Sequence, residues 1–571
     1  MTPRTGGEIL VAGLLAQGAD MAFGVPGESY LAVLDAMFGV RDRFRFIICR
    51  QEGGAAYMAE ACGKLTGRPG LAFVTRGPGA ANAAIGIHTA AQDSTPMIVF
   101  VGQVGGDMTD REAFQEIDYR RMYGSVAKWA AQIDHAERIP EYLAHAYRVA
   151  MSGRPGPVVL ALPEDMLTAR AVCADVARVD ALAAAADAGQ VAAARVMLAR
   201  AERPLIIVGG SRWDADACAA LRGLAESADL PVACAFRSQD LFDNRHANYA
   251  GDVGIGINPQ LAARVKDADV LLVIGERLGE MTTSGYTLLA VPTPAQTLIH
   301  VHPGADELGR VYQPALAINA TPGAFLAALA AEALPAENGR RKAVMSARAD
   351  YESWQAPRPV PGDVDLWSIA QWLGAHLPED AIVTNGAGNY ATWMHRLFRY
   401  RGFRTQLAPY SGAMGYGVPA AIAAKAVCPG RVVVSWNGDG CFLMNGQELA
   451  TAVQYNLAVI FVVIDNRMYG TIRMHQEKNY PGRVSGTELR NPDFAALARA
   501  YGATGETVVR TGEFAPAFAR ALAAAGPALI HVKVDPQALT MTATLDALRA
   551  QGMASATPQE LRRGPPSTDF A

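Results

Sequence analysis

The sequence predicts an α/β protein made of three domains, each of them a doubly wound parallel sheet. Short apolar runs of strand length alternate with helical segments along most of the chain, which is the order that builds parallel sheets with helices on both faces. Several of these runs end in glycine-rich turns, where such sheets place their ligand sites. With 571 residues, half of them apolar, the chain is long enough for several globular domains.

Strand-like runs and the breaks between them set the expected domain limits. We expect an N-terminal domain over residues 1–175, a central domain over 190–335, a C-terminal domain over 364–535 and a tail over 536–571. The polar, proline-rich stretch 349–363 predicts the linker before the third domain. The expected strands are Phe44–Ile48, Leu71–Thr75, Met97–Val101, Val158–Leu162, Pro204–Val208, Val270–Ile274, Leu298–Val301, Ala381–Thr384, Val432–Ser435, Val459–Ile464 and Ala528–Val534.

Net charge and cysteine usage argue against several classes of protein. The formal net charge is -4, so nothing favours binding to nucleic acid or to an anionic membrane. No apolar run reaches membrane-spanning length, and the N-terminus lacks the apolar core of a signal peptide. The seven cysteines are scattered and form no CxxC pair, which is typical of a reduced protein. We therefore expect a cytoplasmic protein with no nucleic-acid and no membrane partner.

The most informative segment contains two neighbouring apolar runs with polar ends. The first run ends in Gly438-Asp439-Gly440 and the second ends in Asp465-Asn466. In a βαβ unit both strands finish at one edge of a parallel sheet, so Asp439 and Asn466 are expected to lie together. Their oxygens suit Mg²⁺ or Ca²⁺, and the glycines let backbone amides approach a phosphate closely. The alternative is an ordinary turn with polar ends, but the combined pattern favours a ligand site.

This pattern resembles the signature of thiamine-diphosphate enzymes, in which GDG is followed at about this distance by a pair of asparagines. Asp465 stands at the place of the first asparagine, which in that family is not the metal ligand. The block order is similar to the acetolactate synthase and pyruvate decarboxylase group. The resemblance implies an N-terminal pyrimidine-binding domain, a central domain and a C-terminal diphosphate-binding domain. It also implies thiamine diphosphate, Mg²⁺, and a homodimer or homotetramer with active sites at the subunit interface.

The resemblance assigns roles to individual residues around the cofactor. Glu52 matches the glutamate that activates thiamine diphosphate; the plainer alternative is a helix-terminal glutamate stabilised by the helix dipole. The implied metal ligands are the Asp439 carboxylate, the Asn466 amide oxygen and the backbone carbonyl of Met468. Asn389-Tyr390 departs from the Gln-His of acetolactate synthases at the diphosphate. The implied cofactor-binding residues are Gly77, Gly79, Asn82, Gly388, Asn389, Tyr390, Gly412, Met414, Gly438, Gly440, Cys441, Tyr469 and Gly470.

Substrate-facing positions combine features of two kinds of enzyme. Glu28 stands where the synthases carry glycine and the decarboxylases carry an acid, so it is a candidate proton-transfer group, with a raised pKa if it is buried. Gln115 lies in an Ala-Phe-Gln-Glu sequence typical of the synthases. Ile472 replaces a synthase valine and the decarboxylase glutamate, while His475 replaces the synthase tryptophan of the acceptor pocket. The resemblance allows FAD in the central domain, but Met281 replaces a flavin-contacting arginine and a flavin-flanking loop is missing, which argue against it.

The predicted reaction is decarboxylation of a 2-oxoacid to an enamine, followed by transfer to a carbonyl acceptor, as in acetolactate synthases. Gln115 and Ile472 favour this carboligation. Glu28 supports the first alternative, a simple 2-oxoacid decarboxylase that releases an aldehyde. A second alternative, from another class, is a non-catalytic nucleotide-binding or regulatory α/β protein. Glu52 separates this class from the enzymes, because a protein without catalysis has no need of it.

Overall fold

A computed structural model describes residues 2–332, 334 and 339–555 of the chain. Within these residues the chain divides into two compact units. The first unit comprises residues 2–355 and 399–411, and the second comprises 356–398 and 412–555. Each unit is described by itself below. Among the described residues, no helix combines the length and the apolar character needed to cross a membrane.

The first sheet of the first unit is built from the N-terminal region. Its strands and helices, together with a small antiparallel pair formed by the first and last strands, are β1 (Arg4–Thr5), β2 (Met21–Gly24), β3 (Arg45–Ile48), β4 (Gly70–Val74), β5 (Met97–Gln103), β6 (Trp129–Gln132), β7 (Pro157–Pro163), β8 (Arg170–Ala171), α1 (Gly6–Ala16), α2 (Leu31–Phe38), α3 (Glu52–Thr66), α4 (Gly77–Asp93), α5 (Tyr119–Tyr123), α6 (Ile139–Met151) and α7 (Glu164–Thr168). The sheet is parallel, with the order β3-β2-β4-β5-β7-β6.

Strands β4, β5 and β7 are buried along their whole length, as expected when helices cover both faces of a parallel sheet. Because β3, β2 and β4 are neighbours, their carboxyl ends lie side by side. The turns that follow these three strands carry Glu52, Glu28 and Gly77. The topology therefore brings predicted site residues from distant parts of the sequence to one edge of the sheet.

The second sheet of the first unit is formed by the central region. Its elements are β9 (Leu205–Val208), β10 (Val232–Cys234), β11 (Tyr249–Asp252), β12 (Val270–Ile274), β13 (Thr297–Val301), β14 (Leu316–Ile318), α8 (Ala188–Arg200), α9 (Ala215–Ser227), α10 (Pro259–Asp267), α11 (Pro322–Ala330) and α12 (Arg340–Trp354). The strand order is β11-β10-β9-β12-β13-β14, and all the pairs are parallel. The order reverses between β9 and β12, which makes that point the natural ligand crevice of this sheet.

The second unit contains the third parallel sheet. Its elements, with one short strand that belongs to the first unit (β16), are α13 (Leu366–His376), β15 (Ile382–Asn385), α14 (Asn389–Leu397), β16 (Gln406–Leu407), α15 (Gly417–Val427), β17 (Val433–Gly438), α16 (Asp439–Phe442), α17 (Leu449–Gln454), β18 (Ile460–Asp465), α18 (Gly470–Asn479), α19 (Phe494–Ala500), β19 (Thr504–Val508), α20 (Phe514–Ala523), β20 (Ala528–Lys533) and α21 (Leu545–Ser555). Within this unit the strands lie in the order β15-β17-β18-β20-β19 and pair in parallel.

The predicted fold class is confirmed, because three parallel α/β sheets occur along the chain. The expected strands coincide with observed ones to within a few residues, whereas the short or partly polar strands β2, β6, β10, β11, β14 and β19 were not predicted. The linker begins later than predicted, since α12 continues to Trp354 and buries Tyr351. The four domain limits stay predictions. Part of the predicted tail, residues 556–571, lies outside the described residues.

Helix α21, from the predicted tail, packs on α18 through a buried ion pair. The guanidinium of Arg549 donates to both carboxylate oxygens of Glu477, at 2.8 and 2.9 Å. Arg473 donates to the same carboxylate at 2.8 Å, and only 1% of the Glu477 side chain is exposed. The hydrogen bond from Arg549 is the main reason that the pKa of Glu477 falls to about 2. Since α18 carries Ile472 and His475, α21 supports a helix of the predicted substrate pocket.

We predict that Arg549→Ala loosens α21 without unfolding the second unit. Loss of a bidentate, charge-assisted contact costs about 1–3 kcal/mol. Hydrogen exchange of residues 545–555 should therefore accelerate by roughly tenfold to a hundredfold, since about 1.4 kcal/mol is a factor of ten. The contribution of the Glu477 ion pairs to the free energy of unfolding should be complete above about pH 4.3, the pKa of a glutamate in the unfolded chain. It should be lost as the pH falls towards 2, the pKa of Glu477 in the folded protein. Lys478→Ala, at an exposed position of α18, is the control and should leave the hydrogen exchange of α21 unchanged. Unchanged exchange in Arg549→Ala would contradict the prediction.

Candidate active site

Glu52 and Asn82 are in direct contact in the first unit. Glu52 is the first residue of α3, and Gln51 caps that helix by accepting a hydrogen bond from the amide of Gly54 at 3.1 Å. The side-chain amide of Asn82, on α4, donates to Oε2 of Glu52 at 2.9 Å. A Cβ atom added to Gly79 would lie 3.3 Å from Oε1 of Glu52, so this glycine keeps the start of α4 close to the carboxylate. The structure thus brings two predicted residues, Gly79 and Asn82, to the carboxylate of a third, Glu52.

Gly77 and Gln115 meet through the backbone. The amide of Gly77 donates to the carbonyl of Gln115 at 3.0 Å. Gln115 has a φ of 66°, in the left-handed region that residues other than glycine seldom adopt. Strained backbone of this kind occurs frequently at functional sites. The Gly-Pro-Gly turn at the start of α4 is therefore joined to the loop that carries Gln115.

Arg76 links Glu28 to this region, a role that the sequence analysis missed. Its guanidinium lies 3.4 Å from Glu28 and 3.2 Å from Glu164, and it also donates to the carbonyl of Phe114 at 3.3 Å. Arg76 is buried, whereas 69% of the Glu28 side chain is exposed within the chain. Glu28 is therefore not buried within the chain, whereas its partner Arg76 is. The position of Arg76, directly before the Gly-Pro-Gly turn, is the signal that could have identified it.

Most of the predicted cofactor residues of the second unit line one cavity of about 230 Å³. Most of them come from the turns that follow β15, β17 and β18, three neighbouring strands of the sheet, while Gly412 and Met414 come from the loop before α15. Gly388, directly before α14, has a φ of 143°, which favours glycine at that turn. The predicted residues that line the cavity are Gly388, Asn389, Tyr390, Gly412, Met414, Gly438, Asp439, Gly440, Cys441, Asn466, Met468, Tyr469, Gly470 and Ile472.

The two glycines beside Asp439 make room for aromatic rings. A Cβ atom on Gly438 would lie 2.5 Å from the ring of Tyr390, and one on Gly440 would lie 2.6 Å from the ring of Tyr469. The hydroxyl of Tyr390 contacts the sulfur of Cys441 at 2.9 Å. The two tyrosine rings therefore occupy the space beside the two glycines. The assignment of these glycines to cofactor binding stays a prediction.

Asn389 and Thr471 hold the turn after β15 against α18. The amide of Asn389 donates to the hydroxyl of Thr471 at 2.9 Å, and that hydroxyl donates to the side-chain oxygen of Asn389 at 3.0 Å. Asn389 also donates to the carbonyl of Leu539 at 3.2 Å. The residue that departs from the synthase pattern is thus engaged with its own chain.

Asp439 and Asn466, two of the predicted metal ligands, lie at the ends of adjacent strands. Asp439 is buried, and burial is the main cause that raises the pKa of its carboxyl to about 6. The side-chain oxygen of Asn466 accepts from the amide of Met468 at 3.2 Å, so these two residues lie on one short turn. Asp439 lies at the end of the neighbouring strand. Among the described residues, no group of three or more His, Cys, Asp or Glu side chains could hold a metal. Of the three predicted metal ligands, only Asp439 has a side chain of these types. The other two ligand oxygens are the side-chain amide oxygen of Asn466 and the backbone carbonyl of Met468.

The two predicted substrate-pocket residues lie on α18. Ile472 reaches the cavity and is 55% exposed within the chain, and His475 is exposed. Arg473, between them, is buried and paired with Glu477. The guanidinium of Arg473 is therefore held in an ion pair within the chain.

Family models and curated relatives agree on what this arrangement is. Residues 4–122, 191–329 and 386–532 match the N-terminal thiamine pyrophosphate binding domain, the central domain and the C-terminal thiamine pyrophosphate binding domain of thiamine pyrophosphate enzymes. The chain is 31% identical over 537 residues to "Acetolactate synthase isozyme 2 large subunit" of Escherichia coli (strain K12), covering 93% of this chain and 95% of that one. This chain belongs to the family of thiamine pyrophosphate enzymes.

Two further relatives extend the similarity. The acetolactate synthase large subunit of Corynebacterium glutamicum is 31% identical over 540 residues, which covers 90% of this chain and 84% of that one. The probable acetolactate synthase large subunit of Methanocaldococcus jannaschii is 30% identical over 558 residues, with coverages of 94% and 93%. The family predicted from the GDG segment is therefore confirmed, and the protein is an acetolactate synthase-like thiamine-diphosphate enzyme.

In the central domain, the side chain of Glu276 packs against the glycine turn after β9, and the expectation that FAD is absent stays a prediction. At the switch point, a Cβ atom on Gly209 would lie 2.5 Å from Oε2 of Glu276, so this carboxylate fills the space beside the glycine turn after β9. Thr282 donates to Oε1 of Glu276 at 3.2 Å, and a Cβ atom on Gly210 would lie 1.9 Å from the carbonyl oxygen of Gly275. A dinucleotide places its diphosphate at such a turn. Burial raises the pKa of Glu276, but the side chain occupies this space in either protonation state.

We predict that the purified protein contains no flavin and takes up none. Incubation with FAD, followed by gel filtration, should leave the protein fraction without absorbance near 450 nm. Fluorescence anisotropy of FAD titrated with the protein should stay at the value of free FAD, because Met281 replaces the flavin-contacting arginine and Glu276 lies against the glycine turn. One bound flavin per chain would contradict the exclusion.

We also predict that Gly438→Ala disturbs the cofactor cavity. The added methyl group would overlap Tyr390 at 2.5 Å, and relief of such overpacking costs about 1–3 kcal/mol. Thermal denaturation should show a lower Tm, and fluorescence titration should show weaker binding of thiamine diphosphate. Combining the change with Tyr390→Leu should recover part of the lost stability. Gly430→Ala is the matched control, because nothing lies within 4 Å of its added Cβ; an unaltered Tm in Gly438→Ala would refute the prediction.

Proposed function

We propose that the protein is a thiamine-diphosphate- and Mg²⁺-dependent carboligase, which decarboxylates a 2-oxoacid and transfers the remaining fragment to a carbonyl acceptor. The observation that carries the proposal is the contact of Asn82 with Glu52, 2.9 Å long, at the start of α3. A carboxylate held in one orientation suits proton transfer. A protein that only binds a nucleotide has no use for this arrangement.

The cation is assigned to the cavity of the second unit. The Asp439 carboxylate, the Asn466 amide oxygen and the Met468 carbonyl are hard oxygen donors, the type that Mg²⁺ prefers. All three residues line the cavity. Mg²⁺ usually keeps further oxygens from substrate phosphates and water, so a set with a single carboxylate is sufficient. The cofactor diphosphate is assigned to the surrounding turns, at Gly388 and Tyr469-Gly470.

The residues of the chain divide the work of catalysis among them. When bound, thiamine diphosphate supplies the carbanion that attacks the keto carbon and the electron sink for the loss of CO₂. We assign to Glu52 the hydrogen bond that activates the cofactor, with Asn82 holding its carboxylate. Glu28 and Gln115 are assigned to proton handling and polarity at the substrate. Ile472 and His475 are assigned to the acceptor pocket.

Carboligation is favoured over simple decarboxylation. Ile472 removes the carboxylate that decarboxylases carry at that position, and Gln115 is synthase-like. Glu28, the argument for a decarboxylase, is 69% exposed within the chain and forms an ion pair with Arg76. The relatives reported above are named as acetolactate synthases.

We further propose a cytoplasmic homodimer or homotetramer. The resemblance pairs the pyrimidine side of one subunit with the diphosphate side of another. None of the seven cysteines, all within the described residues, forms a disulfide, which suits a reducing compartment. Sedimentation equilibrium measures the assembly state.

Glu52→Gln is predicted to abolish activity while it preserves the cofactor site. With pyruvate, thiamine diphosphate and Mg²⁺, the unaltered protein should form an acyloin acid such as acetolactate. The variant should lose at least 10²–10⁴-fold in rate, the range for general acid–base groups, and should stop exchanging the C2 proton of the cofactor in an NMR assay. Near-UV circular dichroism should still report cofactor binding.

The exposed Glu137→Gln is the matched control and should keep full activity. Release of an aldehyde alone would favour the simple decarboxylase. Failure of the unaltered protein to bind thiamine diphosphate in the presence of Mg²⁺ would refute the proposed function.

A further inference from the structure

The side chain of Asn491 lies between two carboxylates at the cavity. Its Nδ2 atom is 2.8 Å from Oδ2 of Asp439 and 2.7 Å from Oδ1 of Asp465. Asn491 lies in the loop before α19, far from the GDG segment in the sequence, and neither the motif nor the family resemblance pointed to it. One primary amide thus joins the predicted metal ligand to the aspartate that replaces the signature asparagine.

The chemistry of the contact settles the orientation of the amide. Carboxylates accept hydrogen bonds and do not donate them when ionised, so an amide oxygen in this place would face two acceptors. The nitrogen offers two N–H groups, which matches the two carboxylates. A neutral donor can therefore hold Asp439 and Asp465 close together without adding a charge of its own.

Asp465 is a fixed point for this arrangement. Its Oδ2 contacts Nε2 of His531 at 2.8 Å, and its Oδ1 also accepts from the amide of Arg467 at 3.1 Å. His531 is only 1% exposed, and its ring packs edge-on against Phe494 with the centroids 5.0 Å apart. The histidine cannot move without disturbing the packing of α19. Asp465 is consequently held on one side by His531 and presents its other oxygen to Asn491.

We propose that Asn491, supported by Asp465 and His531, is a positioning residue for the divalent cation. Its amide engages Oδ2 of Asp439, so that the second oxygen of this carboxylate is the one offered to the cation. Side chains that hydrogen-bond to metal-ligating carboxylates orient them and sustain metal affinity. The inference rests on the proposed Mg²⁺ site, and it adds the reason why this chain tolerates an aspartate at position 465.

The test is a double-mutant cycle of Asn491→Leu and Asp465→Ala, read as Mg²⁺ affinity. Protein stripped with EDTA is titrated with Mg²⁺ at saturating thiamine diphosphate, and near-UV circular dichroism reports the bound cofactor. Electron paramagnetic resonance of Mn²⁺ provides a second reading of the cation alone. Asn491→Leu should raise the Mg²⁺ concentration at half-saturation about 10–100-fold, the usual cost of losing such a partner. Excess Mg²⁺ should restore the cofactor signal, which would not follow if the change only damaged the fold.

The Asp465→Ala background separates a shared network from a local effect. Without the second carboxylate the bridge has lost one end, so Asn491→Leu should cost less than about threefold there, because contacting residues are energetically coupled. Asn491→Ala is a second variant, for use if the leucine interferes with folding. Asp365→Ala is the matched control: it removes the cap of α13, where Asp365 accepts from the amide of Trp367 at 2.8 Å, and should lower the Tm while Mg²⁺ affinity stays the same.

Two results would overturn the proposal. One is an unchanged Mg²⁺ half-saturation in both Asn491 variants while the unaltered protein binds Mg²⁺ and the cofactor. The other is an equal cost of Asn491→Leu with and without Asp465. If the unaltered protein bound neither Mg²⁺ nor thiamine diphosphate, the proposed function itself would fail, and that outcome is recognised before any variant is made.

Discussion

The carboxyl ends of β15, β17 and β18 meet at one edge of a parallel sheet, and the candidate cofactor site depends on this alignment. In the register of the sheet, Gly438 on β17 lies opposite Ile464 on β18, so the next residues, Asp439 and Asp465, follow at neighbouring positions. Parallel pairing also lets each strand continue into a turn and a helix. The cavity is therefore a consequence of topology, and its chemistry comes from the few side chains that the turns present.

This alignment has an electrostatic cost. Asp439 and Asp465 are 3% and 5% exposed, and two carboxylates placed close together out of water destabilise one another. Burial raises the pKa of Asp439, whereas hydrogen bonds from His531 and Asn491 outweigh burial and lower the pKa of Asp465. A divalent cation would offset the remaining negative charge. The polar surroundings of the site thus follow from the same strand register that creates it.

The first unit also holds a carboxylate at the end of a parallel sheet, that of Glu52. Glu52 gains from its place at the start of α3, where backbone amides and the helix dipole favour a negative charge, and Asn82 fixes its orientation. In the central sheet, the carboxylate of Glu276 packs against the glycine turn at the corresponding position. Sheets of similar topology therefore have different functions, depending on which residues follow the strands.

Apolar strand runs and glycine turns are local signals, so they were enough to predict the fold class, the family and the residues that line the cavity. The contacts of Arg76, Asn491 and His531 are not local, because their partners lie far away along the chain. Nothing in the sequence indicated that tyrosine rings pack against Gly438 and Gly440. These contacts follow from the tertiary fold, because which side chain occupies a given volume depends on packing between distant segments.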